Sequence, residues 1–135
     1  MGKQTINPDT LYESTPYGFS QAVKSDRSTT IYCAGQVAWD KEYNVVGGDD
    51  IAAQARQALA NVKTVLEAAG AGVEDIVRIH TYVVNHKPEY LESVGAAIGE
   101  FYGGITPAAN TWIGVQALAL PDFLIEIEVT AEIDS

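Results

Sequence analysis

Two glutamates two residues apart, Glu126 and Glu128, sit in a stretch where carboxylates alternate with apolar side chains, Leu124-Ile125-Glu126-Ile127-Glu128-Val129-Thr130. A carboxylate held on a strand can take up and return a proton near neutral pH, the work of a general acid/base. The same alternation is also an ordinary way of keeping a strand soluble. Arg78 and His80 are likewise two apart and share one side of their segment. They can supply a cation or shuttle a proton, or serve simply as solvated or interface-packed side chains. Asn110 adds an amide that both donates and accepts, and Trp112 stands on its side of the chain. His86, in a loop before Pro88, reads as surface.

Other chemistries find no residues to carry them. Two histidines and one cysteine give no zinc spacing, and the scattered aspartates form no calcium loop, so no metal is expected. Gly47-Gly48 and Gly103-Gly104 fall outside any strand-to-helix phosphate fingerprint. Ser20 lies in no pattern with His and Asp that would make a serine triad. Cys33 is the single cysteine, in the apolar stretch Ile31-Tyr32-Cys33-Ala34, where burial is its natural role.

The elements that must position these groups follow from periodicity. Leu124 to Ile133 reads as a strand with an apolar row on one face and Glu126, Glu128 and Thr130 on the other. Ile51, Ala55, Ala58, Leu59, Val62, Val65, Leu66 and Ala69 recur at helical spacing, opened by Asp49-Asp50 and closed by Gly70. Ile76 to Asn85, rich in β-branched and aromatic residues, is a strand with Val77, Ile79, Thr81 and Val83 on one face. Arg78, His80, Tyr82 and Val84 occupy the other. A second helix starts with Pro88 and runs to about Tyr102, with Leu91, Val94, Ile98 and Phe101 as its apolar side. Asn110 to Gln116 is a strand, and Phe19 to Lys24 with Thr30 to Gln36 reads as a hairpin around Ser25-Asp26-Arg27-Ser28.

The order ββαβαββ predicts an α/β (α+β) fold in which two helices cover one face of a mixed sheet. The other face is left bare, and its mixture of apolar and acidic side chains calls for self-association. Placing Asn110 and Trp112 on that bare face beside Glu126 is the expectation from alternation alone.

Composition agrees with one domain spanning residues 1–135. Hydrophobic residues are 47% and charged residues 19% of the chain. No run approaches the roughly 20 apolar residues of a membrane span, and MGKQTINPDT has no signal-peptide stretch, so a cytoplasmic location without membrane attachment is expected. Eighteen acidic against eight basic residues, net charge −10, repel a phosphate backbone, and no nucleic-acid partner is expected.

Several phrases together resemble the Rid family, the reactive intermediate deaminases also called L-PSP endoribonucleases. They are Phe19-Ser20-Gln21-Ala22-Val23, Ala34-Gly35-Gln36, Gln54-Ala55-Arg56-Gln57-Ala58-Leu59-x-Asn61-Val62, Leu66-x-x-Ala69-Gly70 and Ile125-Glu126-Ile127-Glu128. The likeness runs from Gly18 to Ile133. It implies a chorismate-mutase-like fold, a homotrimer, and small-molecule sites in the clefts between subunits. It also implies hydrolysis of enamines and imines, such as those released from serine or threonine, to a ketoacid and ammonia without cofactor or metal. Glu126 takes the place of the family's acid/base, with Phe19, Ala34, Gly35, Asn110 and Trp112 around the substrate.

Three positions depart from the family pattern. Asn110 stands where an arginine grips the substrate carboxylate, Phe19 where a tyrosine is usual, and Ala34 where a serine is usual. Losing a hydrogen bond to a charged group removes about one to two decades of binding, so amino-acid-derived imines are poor candidates while neutral ligands remain compatible. Trp112, where many members carry cysteine, reshapes the cleft. The competing expectation is a trimeric small-molecule binder or chaperone-like protein that has lost hydrolysis. Ribonuclease activity is opposed by the charge.

Overall fold

The computed structural model describes residues 2–134; Met1 and Ser135, the ends of the expected domain, lie outside the described residues. In chain order the elements are β1 (Lys3–Ile6), β2 (Ala22–Ser25), β3 (Thr29–Tyr32), α1 (Ile51–Ala68), β4 (Ile76–Val84), α2 (Tyr90–Tyr102), β5 (Ala109–Val115) and β6 (Ile125–Ile133). Short 3-10 turns occupy Thr15–Tyr17 and Val73–Asp75. Four strands form one mixed sheet in the order β3-β6-β4-β5, with β4 and β5 parallel and the other pairs antiparallel.

Helix α1 forms where the spacing predicts it. Asp50 caps its first turn, accepting from the amides of Ala52 and Ala53 at 3.0 and 3.3 Å. At the other end Gly70 takes φ +81°, and the amide of Ala71 returns to the carbonyl of Leu66 at 2.8 Å. This left-handed turn suits glycine and satisfies a carbonyl that the helix leaves open. Between these ends Ile51, Ala55, Ala58, Leu59, Val62 and Leu66 are buried, together with one polar residue, Gln54. The Gln54 amide donates to the carbonyls of Gly48 and Asp122, at 2.6 and 3.0 Å, and accepts from the amide of Leu124 at 3.0 Å. One side chain thereby fastens both the entry to α1 and the entry to β6.

Both helices lie on one face of the sheet. The core beneath them is the apolar row of β6 (Ile125, Ile127, Val129, Ala131) with Ile76, Ile79 and Val83 of β4 and Val94, Ala97 and Ile98 of α2. Burial of this kind contributes roughly 1.5–3 kcal/mol for each large aliphatic side chain. The α+β arrangement with two helices over one face is as expected.

Three details differ from expectation. First, β2 and β3 do not form a hairpin. Strand β2 pairs instead with β1, an N-terminal strand that the sequence reading did not include, with Lys3 opposite Ser25 and Ile6 opposite Ala22. Strand β3 pairs with β6. The elements therefore run βββαβαββ. Second, β4 carries a bulge: Ile76 pairs with Ala131 and Arg78 with Thr130, which shifts the alternation at Val77 and gives its buried place to Ile76. Third, Leu91 is 54% exposed rather than part of the helix core. The buried side of α2 is Val94, Ala97, Ile98 and Tyr102.

Candidate functional site

The bare face of the sheet is assembled by register. Tyr82 of β4 sits opposite Glu126 of β6 and Ile113 of β5, while His80 sits opposite Glu128 and Thr111. Paired residues on neighbouring strands point to the same side. Glu126, Tyr82, Ile113, Glu128, His80 and Thr111 therefore share one surface. Tyr32, opposite Thr130, extends it and is 82% exposed.

Glu126 lies against the loop after β3. A Cβ on Gly35 would fall 2.8 Å from the Glu126 Cδ and 2.9 Å from its Cγ, closer than real carbons approach. A side chain at this position would therefore push the carboxylate aside. Ala34 beside it is exposed, and its carbonyl accepts from the Gln36 side chain at 3.2 Å. Gln36 closes the loop onto β6 through a bridge to Ile127. Among the described residues no donor hydrogen-bonds the Glu126 carboxylate. Glu128 is different: it accepts from the Tyr82 hydroxyl at 3.3 Å and faces His80 Nδ1 at 3.4 Å. Loss of solvation and the neighbouring Glu128 push the Tyr82 phenol above its ordinary pKa.

Arg78 does not supply a cation beside Glu126. Its guanidinium donates to Thr111 Oγ1 at 2.6 Å and to His80 Nε2 at 3.2 Å. Arg78, His80 and Glu128 form one row of polar contacts, leaving Glu126 as the carboxylate open to a water or a ligand.

Asn110 and Trp112 are not on this face, which corrects the reading from alternation. Asn110 pairs with Ile79 and Trp112 with Thr81, and both partners point into the helix side. The buried Thr81 hydroxyl donates to Asn110 Oδ1 at 3.1 Å. Alternation fixes which residues share a side of β5, but the side itself is set by the parallel pairing with β4, which no local pattern records. Within one chain the sheet therefore stands between Asn110 and Glu126.

On the helix side Asn110 and Trp112 meet Phe19 in a cavity of about 680 Å³ between α2, β5 and the Thr15–Tyr17 turn. Its remaining wall includes Tyr17, Leu91, Glu92, Gly95, Ala96 and Gly99. The indole of Trp112 donates to His86 Nδ1 at 3.2 Å, and Gly114 leaves room for His86, whose Cβ would lie 2.9 Å from an added methyl. His86 is thus a support for the cavity wall rather than a plain surface group. The sequence reading missed Gly95, Ala96 and Gly99, and gave His86 no role beyond the surface. The signal for the first three is two glycines four residues apart inside a helix, each costing about 1 kcal/mol relative to alanine.

Among the described residues no group of three or more His, Cys, Asp and Glu side chains could hold a metal ion. No helix among them is long and apolar enough to cross a membrane.

Comparison with known proteins places this geometry. Residues 12–133 match the family model described as Endoribonuclease L-PSP. A RutC family protein of Pyrococcus horikoshii is 32% identical over 114 residues, which are 84% of this chain and 85% of that protein. A protein of Dermatophagoides farinae named 2-iminobutanoate/2-iminopropanoate deaminase is 31% identical over 100 residues, 74% of each chain. Among solved structures, a Rid family protein of unknown function from Yersinia pestis, YyfB, superposes with a TM-score of 0.96 at 55% identity, covering 98% of this chain and all of its own. With the helices, the mixed sheet and nearly the whole sequence matching, the chain belongs to the Rid (endoribonuclease L-PSP) family and has its chorismate-mutase-like fold.

Proposed function

We propose that this protein is an enamine/imine deaminase-like hydrolase whose site lies between copies of the chain, in a homotrimer. The observation that carries the reading is the Glu126 carboxylate, seated against Gly35, where a side chain would displace it, and hydrogen-bonded by no side chain among the described residues. Likeness to the deaminase of Dermatophagoides farinae supports it. In the reaction R₂C=NH + H₂O → R₂C=O + NH₃, Glu126 takes a proton from water as the oxygen adds to the C=N carbon. It passes that proton to nitrogen, giving a carbinolamine, and then takes the carbinolamine hydroxyl proton and delivers it to nitrogen as the C–N bond breaks, so that the carbonyl forms and ammonia leaves. Asn110, Trp112 and Phe19 of the neighbouring copy line the cleft, and Ala34 and Gly35 border the carboxylate.

Asn110, standing where the family's arginine is expected, offers no charge to a substrate carboxylate, so small imines derived from amino acids are poor substrates. The apolar cavity beside Asn110 favours one further reading, a small-molecule binder without hydrolysis.

The test is ammonia release from 2-iminopropanoate generated in situ. The unmodified protein accelerates it weakly or not at all. Asn110→Arg with Phe19→Tyr and Ala34→Ser raises the rate by about one to two decades, and adding Glu126→Gln abolishes the gain. A triple variant whose gain survives Glu126→Gln would remove Glu126 from the mechanism. A monomer mass by light scattering at micromolar concentration would overturn the intersubunit site.

A further inference from the structure

We infer that the cavity between α2 and β5 receives the aromatic ring of a ligand that carries no carboxylate, and that the substrate class is an arylalkyl imine, Ar–CH₂–CH=NH. The inference rests on the cleft proposed above, but its binding half does not depend on hydrolysis.

Size is the first argument. The cavity measures about 680 Å³, whereas an apolar cavity of roughly 150 Å³ already holds a benzene ring. A three- or four-carbon imine would leave most of the space empty. The walls are the second. Phe19 and Trp112 present aromatic surface, and aromatic groups associate beyond what their buried area provides. The indole is fixed by its hydrogen bond to His86, so the wall is set before a ligand arrives.

The floor is the third argument. Gly95 and Gly99 both lie within α2, where glycine weakens a helix. At neither position would an added Cβ meet any atom within 4 Å, and neither backbone adopts a positive φ. Packing and backbone conformation therefore leave glycine unexplained at both places. What the two glycines do provide is volume, and that volume opens into the cavity.

Charge and polarity define the rest of the ligand. The lining contains the carboxylate of Glu92 and no Lys, Arg or His, and the adjoining lobe adds Glu13. In a chain of net charge −10 an anionic ligand would enter with no counter-charge. The polar group that remains is Asn110. Because the Thr81 hydroxyl occupies its Oδ1, the amide has its NH₂ left to offer. A neutral donor of this kind suits an imine nitrogen or a carbonyl oxygen.

Two measurements on the full chain test this. In calorimetric titration, 2-phenylacetamide, a stable neutral analogue, is expected to bind at least tenfold tighter than phenylacetate or propanamide. Gly95→Leu, which fills the floor with a better helix former, is expected to weaken binding at least tenfold with the circular-dichroism melt retained, and Ala96→Phe serves as the second such variant. Phenylacetate binding as tightly as the amide, or unchanged amide binding in both folded variants, overturns the inference. So does absent amide binding, which would leave the cavity to a neighbouring copy of the chain. In the second measurement a flavin amine oxidase and oxygen convert 2-phenylethylamine to its imine, and ammonia release is followed with and without the protein. Acceleration supports both the pocket and the deaminase reading. Tight amide binding without acceleration keeps the ring pocket and removes the deaminase.

Discussion

Gly35→Ala isolates the role of Glu126 without touching its charge. The added methyl would sit 2.8 Å from Cδ and 2.9 Å from Cγ of Glu126, and closer still to one carboxylate oxygen. Carbon atoms at van der Waals contact are about 3.5–4.0 Å apart, so the carboxyl group must retreat by about 1 Å. Gly35 does not occupy the left-handed region, so alanine adds no backbone strain there and shrinks the freedom of the unfolded chain, a gain of about 0.4–1 kcal/mol. Swinging a half-exposed carboxylate aside offsets this by a similar amount. The melting temperature should therefore stay within a few degrees, roughly 3 °C. Activity should not survive as well, because a 1 Å displacement of a catalytic group can cost about 10²-fold.

The assay is ammonia release from 2-phenylethanimine, run as a double-mutant cycle with Glu126→Gln. If the methyl acts only by moving Glu126, Gly35→Ala costs about 10²-fold alone and almost nothing more once Glu126→Gln is present. An equal loss in both backgrounds would refute the reasoning. So would a large fall in melting temperature, which would mean that the loop itself needs glycine.

Other perturbations have equally definite outcomes. Gln54→Leu takes the partner from two carbonyls and one amide near the entries to α1 and β6; Gly48 and Asp122 are exposed enough for water to take its place in part, so at about 0.5–1.5 kcal/mol for each hydrogen bond chemical denaturation should show a loss of at least about 1.5 kcal/mol. The buried Tyr102 hydroxyl accepts from the amide of Ala108 at 3.1 Å, and burial pushes the phenol well above its ordinary range. The phenol is neutral when folded, so its stabilisation is full below the unfolded pKa of about 10 and declines above it; Tyr102→Phe should flatten that alkaline decline in a pH series of denaturant melts. His86→Ala removes the acceptor from the Trp112 indole, so time-resolved fluorescence in a Trp39→Phe background should show a more mobile tryptophan, and an unchanged anisotropy decay would exclude His86 as its support.

Much of this was legible in the chain. Helix α1 announces itself through a long stripe, an aspartate cap and a glycine stop, all of which are local. The apolar row of β6 is buried residue for residue because alternation survives wherever one face is covered. Long-range pairing was less visible. Lys3–Ile6 is four residues long and only partly buried, too short for periodicity to reveal. The hairpin reading of Phe19 to Gln36 failed because proximity in sequence favours neighbours, whereas β2 and β3 each find another partner. Glu126 and Gly35 were identifiable as a resemblance, but their interlocking required coordinates. Asn110 and Trp112 were named correctly as alternating neighbours and placed on the wrong side, since their side depends on β4.

The sheet that separates Asn110 from Glu126 also has a genetic meaning. If each cleft draws its two halves from adjacent copies, as proposed, a lesion in one half does not disable the other half of the same polypeptide. A chain damaged at Glu126 and a chain damaged at Asn110, each inactive alone, would complement one another when refolded together. Random mixing of equal amounts in a closed ring would restore about a quarter of the clefts, whereas a site contained in one chain would restore none.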